Sequence, residues 1–117
     1  MSSIDESCEA CSPDATALTK GSIVEFLEMN GGWSLSLDVD FDQLIQTFRF
    51  KNFSEAQDFA VKVGDLAEWA GHHPSILTEY GRVTVRWWSH KIKGLHEQDL
   101  VLASKTESLY RKRTDAL

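Results

Sequence analysis

The stretch SEAQDFAVKVGDLAEWAG, residues 54–71, decides the fold, because it predicts one long amphipathic helix. Its apolar residues recur at the spacing i, i+3, i+4 and i+7, which places their side chains on one helical face. Ser54 and Gln57 have the spacing of a capping box at the helix start. Gly71 stands where a glycine commonly ends a helix. The predicted buried face consists of Ala56, Phe59, Ala60, Val63, Leu66, Ala67 and Ala70.

The residues before this helix predict a short helix and a hairpin. Thr19 is a suitable N-cap for a helix that would end at Asn30-Gly31-Gly32. From Trp33 to Phe50 apolar and polar residues alternate, which is typical of half-buried antiparallel strands. We expect the two strands to be joined near Asp40–Asp42.

The residues after the central helix predict a second hairpin and a last helix. Ile76–Tyr80 and Val83–Ser89 have the pattern of two strands, and Gly81-Arg82 is their expected loop because glycine suits such tight turns. The last helix covers about Glu97–Arg111. The order α-β-β-α-β-β-α predicts a single α+β domain, with a four-stranded antiparallel sheet and helices packed on one face.

Length and charge restrict the class of protein. The chain of 117 residues fits one domain, which we place at residues 19–117 behind a flexible polar arm of residues 1–18. The net charge of −6 disfavours binding to nucleic acid, which needs clustered lysine and arginine. No apolar run approaches the ~20 residues of a membrane span, and the acidic start lacks a signal-peptide pattern. We therefore expect a soluble cytoplasmic protein that does not bind membranes.

Both cysteines of the chain, Cys8 and Cys11, form one CxxC motif in the arm. A zinc site usually needs four ligands, and a thioredoxin-like motif should begin a helix after a strand. Neither context is evident in this polar segment. The motif is either functionally silent or a metal or redox site, and the sequence leaves both alternatives open.

Three of the four histidines lie between Ala70 and His90, two of them in the segment HHP. With Gly81-Arg82 as the hairpin loop, His73 lies opposite His90 at the open end of the hairpin, where His72 also emerges from the helix. Histidine both donates and accepts protons near neutral pH, so this cluster favours general acid–base catalysis. Purely structural histidines are the plainer alternative. A three-histidine zinc site is a third, although adjacent histidines point apart in an extended chain.

Two tryptophans, Trp87 and Trp88, face opposite sides of the predicted last strand. We expect one of them to pack in the core and the other to meet solvent, a ligand or another subunit. An aromatic surface beside imidazoles suits a flat heteroaromatic substrate.

The segment EWAGHHP, followed by Tyr80, GRVTV, WWSH and GLHEQD, resembles the pterin-4a-carbinolamine dehydratases, especially their bacterial members. The resemblance extends from Gly32-Trp33-Ser34 to the last helix. It implies dehydration of 4a-hydroxytetrahydropterin to quinonoid dihydropterin without a metal or organic cofactor. The hydroxylated pterin is the product left by aromatic amino acid hydroxylases, so such a hydroxylase is an implied partner.

The resemblance also implies a set of site residues. The three active-site histidines fall on His72, His73 and His90, and the acidic positions Glu68 and Asp99 are expected to orient imidazoles near the substrate. One imidazolium would act as general acid and one imidazole as base. The implied substrate-contacting residues beside the histidines are Pro74, Ser89, Lys91 and Ile92.

Relatives of this kind are homodimers or homotetramers, and animal members also stabilise dimers of a transcription factor. A non-catalytic dimerisation or regulatory module is therefore the alternative function. Two residues depart from the pattern of many relatives. His96 stands in place of a threonine before the last helix, which predicts a weaker helix cap. Gly71 stands in place of an acidic or polar residue, which puts an acid-assisted role there in doubt.

Overall fold

The computed structural model describes residues 17–115, which contain three helices and four strands. The predicted arm lies outside the described residues except for Ala17 and Leu18. Leu18 already donates its backbone N–H to the carbonyl of Leu95. In chain order the elements are α1 (Lys20–Met29), β1 (Ser34–Leu35), β2 (Leu44–Arg49), α2 (Phe53–Ala70), β3 (Ser75–Glu79), β4 (Arg82–Trp87) and α3 (Glu97–Asp115).

The four strands form one antiparallel sheet in the order β1-β2-β4-β3, with the helices packed on one face. This confirms the predicted α+β class and element order. Alternation along β4 places Val83, Val85 and Trp87 in the core, where each is fully buried. Trp87 donates from Nε1 to the buried Thr106 hydroxyl of α3 at 3.0 Å, which satisfies its polar atom inside the core.

The N-cap of the central helix α2 lies two residues before the predicted one. Asn52 is the N-cap, and its side chain accepts a hydrogen bond from the backbone N–H of Glu55 at 2.9 Å. The predicted capping box at Ser54 is therefore wrong. Asparagine caps a helix as well as serine does, and Asn52 directly precedes the first helical residue, Phe53. The predicted end is confirmed: Gly71 adopts a left-handed conformation with φ of 66°.

The second hairpin turns at Tyr80-Gly81, not at the predicted Gly81-Arg82, because Glu79 pairs with Arg82. Gly81 takes the positive φ of 74° that the turn requires, at the second loop position. The register therefore differs by two residues from the predicted one, and the expected pairing of His73 with His90 is wrong. A shift of two residues keeps every side chain on its predicted face.

The first hairpin is much shorter than the alternating sequence predicts. Only Ser34 and Leu35 pair with β2, and the chain then leaves the sheet as an irregular loop, residues 36–43. We name this segment the β1–β2 loop. It exposes Leu37 almost completely, so the strand predicted to reach Val39 is wrong in its second half. Among the described residues, no helix has the length and apolar composition needed to cross a membrane.

Candidate active site

His72 leaves the C-terminal end of α2 and enters the protein interior. Its backbone N–H donates to the carbonyl of Ala67, so the helix cap fixes the direction of the chain at this residue. The imidazole is 3% exposed and lies parallel to the Trp87 indole, with ring centroids 5.9 Å apart. Its Nε2 lies 2.6 Å from Oδ1 of Asp99. A carboxylate only accepts, so Nε2 carries the proton of this hydrogen bond.

Asp99 receives three hydrogen bonds although it is fully buried. Besides His72, the Ser89 hydroxyl donates to its Oδ2 at 2.6 Å, and the backbone N–H of His96 donates to the same oxygen at 3.0 Å. Asp99 lies in the first turn of α3, where the helix dipole favours a negative charge. These interactions offset the cost of burying a carboxylate. They also place Asp99 between β4, α3 and the end of α2.

His96 caps α3 through its imidazole. Its Nδ1 accepts a hydrogen bond from the backbone N–H of Gln98 at 3.0 Å. The carboxylate of Asp99 in turn accepts a hydrogen bond from the backbone N–H of His96, as the acidic side chain of a capping box does. An imidazole nitrogen therefore replaces the threonine hydroxyl as acceptor, and the cap positions Asp99 at the same time.

His73 points to the surface, in contrast to its neighbour. Its Nε2 lies 2.6 Å from Oε2 of Glu68, and the two side chains are 59% and 75% exposed. Pro74 follows directly and favours an extended conformation at His73, so consecutive imidazoles point in different directions. The two adjacent histidines thus form two imidazole–carboxylate pairs, one buried and one exposed to solvent.

His90 lies on a short loop that two backbone hydrogen bonds close between Ser89 and Gly94. Its ring is exposed on one side and contacts the Trp88 indole on the other, at a centroid distance of 4.4 Å. Lys91 is exposed and Ile92 half-buried on the same loop. The hydroxyl of Ser89 is committed to Asp99, so this predicted substrate contact already has a partner inside the protein.

The arrangement can perform proton transfer, because carboxylates hold two of the three imidazoles by one ring nitrogen. Among residues 17–115, no cluster of three or more histidine, cysteine, aspartate and glutamate side chains has the geometry of a metal site. The CxxC motif lies outside the described residues. The sequence analysis did not predict the contacts between the β1–β2 loop and Arg86 of β4. The sequence gives one indication of them, an arginine that directly precedes the two tryptophans.

The family model described as pterin 4 alpha carbinolamine dehydratase matches residues 16–109, most of the chain. The chain belongs to this family. A relative from Nitrosococcus oceani is 50% identical over 104 residues, covering 89% of this chain and 92% of the relative. One from Marinobacter nauticus is 49% identical over 105 residues, covering 90% and 95%. Both names assign those proteins to the pterin-4-alpha-carbinolamine dehydratases only provisionally.

Two solved structures share the dehydratase fold. A transcriptional coactivator/pterin dehydratase from Brucella melitensis superimposes with a TM-score of 0.74 at 29% identity, over 81% of this chain and 99% of that chain. A pterin dehydratase-like protein, identified as a RuBisCO assembly factor in the alpha-carboxysome, gives a TM-score of 0.57 at 19% identity. That match covers 68% of this chain and 89% of the other, and at this identity it shows the fold alone.

Proposed function

We propose that the protein dehydrates 4a-hydroxytetrahydropterin to quinonoid dihydropterin by acid–base catalysis at His72, His73 and His90. The observation that carries the proposal is the pair of adjacent histidines, each hydrogen-bonded at 2.6 Å to its own carboxylate. A domain whose only task was to bind a partner would not need a buried imidazole–carboxylate pair beside an exposed one. Membership of the dehydratase family supplies the substrate class.

The reaction requires two proton transfers and no oxidant. The C4a–O bond of the substrate breaks as its hydroxyl receives a proton and leaves as water. The N5–H bond gives its electron pair to a new C4a–N5 double bond, and a base takes the N5 proton. One imidazolium supplies the first proton and one neutral imidazole accepts the second. Each such group typically contributes 10²–10⁴-fold to the rate.

The carboxylates support both roles of an imidazole. A carboxylate on Nε2 fixes the orientation of the ring and stabilises the imidazolium form, before a proton is given or after one is taken. Asp99 does this for His72 inside the protein, and Glu68 does it for His73 in contact with solvent. In this proposal His73 exchanges protons with water, and His72 remains in a fixed position beside Trp87.

The remaining assignments follow the same proposal. Pro74, Lys91 and Ile92 contact the substrate, whereas the buried Ser89 acts only through its hydrogen bond to Asp99. No metal or organic cofactor takes part. The protein acts in the cytoplasm as a homodimer or homotetramer, and it returns pterin cofactor to an aromatic amino acid hydroxylase. The complete histidine set favours the enzyme over the regulatory alternative.

The test is the dehydration of synthetic 4a-hydroxytetrahydropterin, followed by absorbance with and without the protein. We expect a protein-dependent rate well above the uncatalysed one. Glu68→Gln should lower this rate, whereas Glu79→Gln, which alters the ion pair of Glu79 with Arg82 at the turn of β3 and β4, should leave it unchanged. No acceleration by the intact protein would reject the enzyme and favour the regulatory module.

A further inference from the structure

Three aromatic rings, those of Phe41, Trp88 and His90, lie in a row beside the candidate site. Trp88 directly follows β4, and its half-buried side chain packs against the edge of the core. The rings of His90 and Trp88 lie 4.4 Å apart with an interplanar angle of 36°. On the other flank, Phe41 of the β1–β2 loop lies 6.3 Å from Trp88 at an angle of 44°. The indole therefore separates His90 from the loop.

The β1–β2 loop is fixed by Arg86, which lies on the same face of β4 as Trp88. The guanidinium binds both carboxylate oxygens of Asp38, at 3.0 and 3.2 Å. It also donates to Ser36 Oγ at 2.9 Å and to Gln43 Oε1 at 3.2 Å, so one cation joins both ends and the middle of the loop. The bidentate contact with Asp38 restrains the position of the loop more than a single hydrogen bond would. Phe41 is thereby held against Trp88.

We name the paired hydrogen bonds between Arg86 and Asp38 the Arg86–Asp38 clamp. Its carboxylate stays charged at any physiological pH. Hydrogen bonds from Arg86 and Ser36 lower the pKa of Asp38 to about 2. The Asp38 carboxylate therefore stays ionised between pH 5 and pH 8. Protonation of Asp38 therefore does not contribute to a change in activity between pH 5 and 8.

We propose that Trp88 is the positioning residue for His90 and that the Arg86–Asp38 clamp, through Phe41, holds Trp88 in place. His90 differs from His72 and His73 in its support, because its ring contacts the Trp88 indole whereas theirs are hydrogen-bonded to carboxylates. An exposed imidazole without such support samples several rotamers. A neighbouring aromatic face restricts the orientations that the ring can adopt. This inference rests on the proposed function for its catalytic consequence.

The kinetic test replaces the indole and then restores a ring. Trp88→Leu should lower kcat about 10-fold to 100-fold with little change in KM, because small displacements of a reacting group cost this much. Trp88→Phe keeps an aromatic face and should recover most of the loss. Trp69→Leu is the matched control, since Trp69 is 65% exposed and contacts Lys105 rather than a site histidine. We expect its kcat to equal that of the wild type.

The clamp is tested by Asp38→Asn and Phe41→Leu, which alter a surface loop and leave the core intact. Each should lower kcat several-fold, while Glu79→Gln, which weakens the other arginine–carboxylate pair of β4, should not. These two variants also decide the matter where Trp88→Leu fails to fold. Full activity of both, or a Trp88→Leu protein with unchanged kcat, would overturn the inference and leave the dehydratase standing.

A measurement without substrate separates this inference from the proposed function. The ring current of an indole 4.4 Å away displaces the NMR signals of the His90 ring protons. In Trp88→Leu these signals should move toward those of a free imidazole and broaden, and in Trp69→Leu they should stay in place. Unmoved His90 signals in Trp88→Leu would refute the positioning contact. An inactive wild-type protein with displaced signals would instead refute the dehydratase and retain the contact.

Discussion

The Asp99 carboxylate lies 2.6 Å from Nε2 of His72, and both side chains are buried beneath the open end of the second hairpin. This one carboxylate joins the last strand, through Ser89, to the cap of α3, through His96. A residue of the candidate site is therefore also part of the structural framework. His73 and His90 do not have this double role, because each lies at the surface.

Asp99→Asn should damage stability and activity together. An amide has one oxygen to accept with and introduces N–H donors opposite the Ser89 hydroxyl and the His72 ring. Leaving buried polar groups mismatched costs about 1–3 kcal/mol of the free energy of unfolding. The rate should fall by 10²-fold or more, since His72 loses its orienting partner. Urea unfolding and the dehydration assay measure the two effects. A fully stable and active Asp99→Asn protein would contradict the network.

The Arg86–Asp38 clamp gives stability a defined dependence on pH. Hydrogen bonds from Arg86 and Ser36 lower the pKa of Asp38 from its ordinary value of 3.8 to about 2, so folding favours the ionised form. The contribution is complete above about pH 4 and is lost as the pH falls toward 2. The stability difference between wild type and Asp38→Asn should therefore be constant from pH 5 to 7 and shrink below pH 4. Urea midpoints at several pH values test this, and a difference that persists at pH 2 would argue against it.

Much of the fold is predictable from the sequence, and the reasons differ between elements. The periodicity of residues 54–70 and Gly71 fixed α2, and alternation identified the buried face of β4. The sequence analysis placed the turn of the second hairpin one residue too late, because glycine suits either position of a two-residue loop. The pairing of Glu79 with Arg82 in the structure shows that Gly81 occupies the second position.

The contacts of the candidate site were harder to predict than its residues. Nothing in local sequence indicates that His72 turns inward and His73 outward, since this depends on the Gly71 cap and on Asp99 in a distant helix. The first part of the β1–β2 loop, as far as Val39, was predicted as strand because Leu37 and Val39 alternate with polar residues. Arg86 contacts the polar side chains of this loop from a strand more than 40 residues later in the chain. A contact between residues so far apart in sequence cannot be predicted from a local pattern.

The protein should self-associate. Several large apolar side chains are exposed on the described surface, among them Trp69 at 65% and Leu77 at 53%. A symmetric oligomer buries such surface at low cost because one patch serves both partners. Light scattering at micromolar concentration should give a mass of at least twice 13.2 kDa. A monomeric mass under these conditions would contradict the expectation.

Deleting Met1 to Pro13 should leave both the fold and the activity intact. The segment is polar and acidic, so its composition gives it little apolar surface to bury. The truncated protein should keep its unfolding midpoint and its dehydration rate. Loss of activity, or stoichiometric zinc in the purified full-length protein, would assign a role to Cys8 and Cys11.

The central claim is that the surface histidines act in catalysis and do not hold the fold together, and one paired measurement on His73→Ala and His90→Ala tests it most directly. For each variant the urea midpoint and the dehydration rate are determined on the same preparation. We expect a loss of at most ~1 kcal/mol in stability, because truncation at the surface removes little packed area. The rate should fall 10²–10⁴-fold, and the double variant should lose less than the product of the single losses. Variants that unfold readily while their folded fraction keeps the full wild-type rate would show that these histidines are structural.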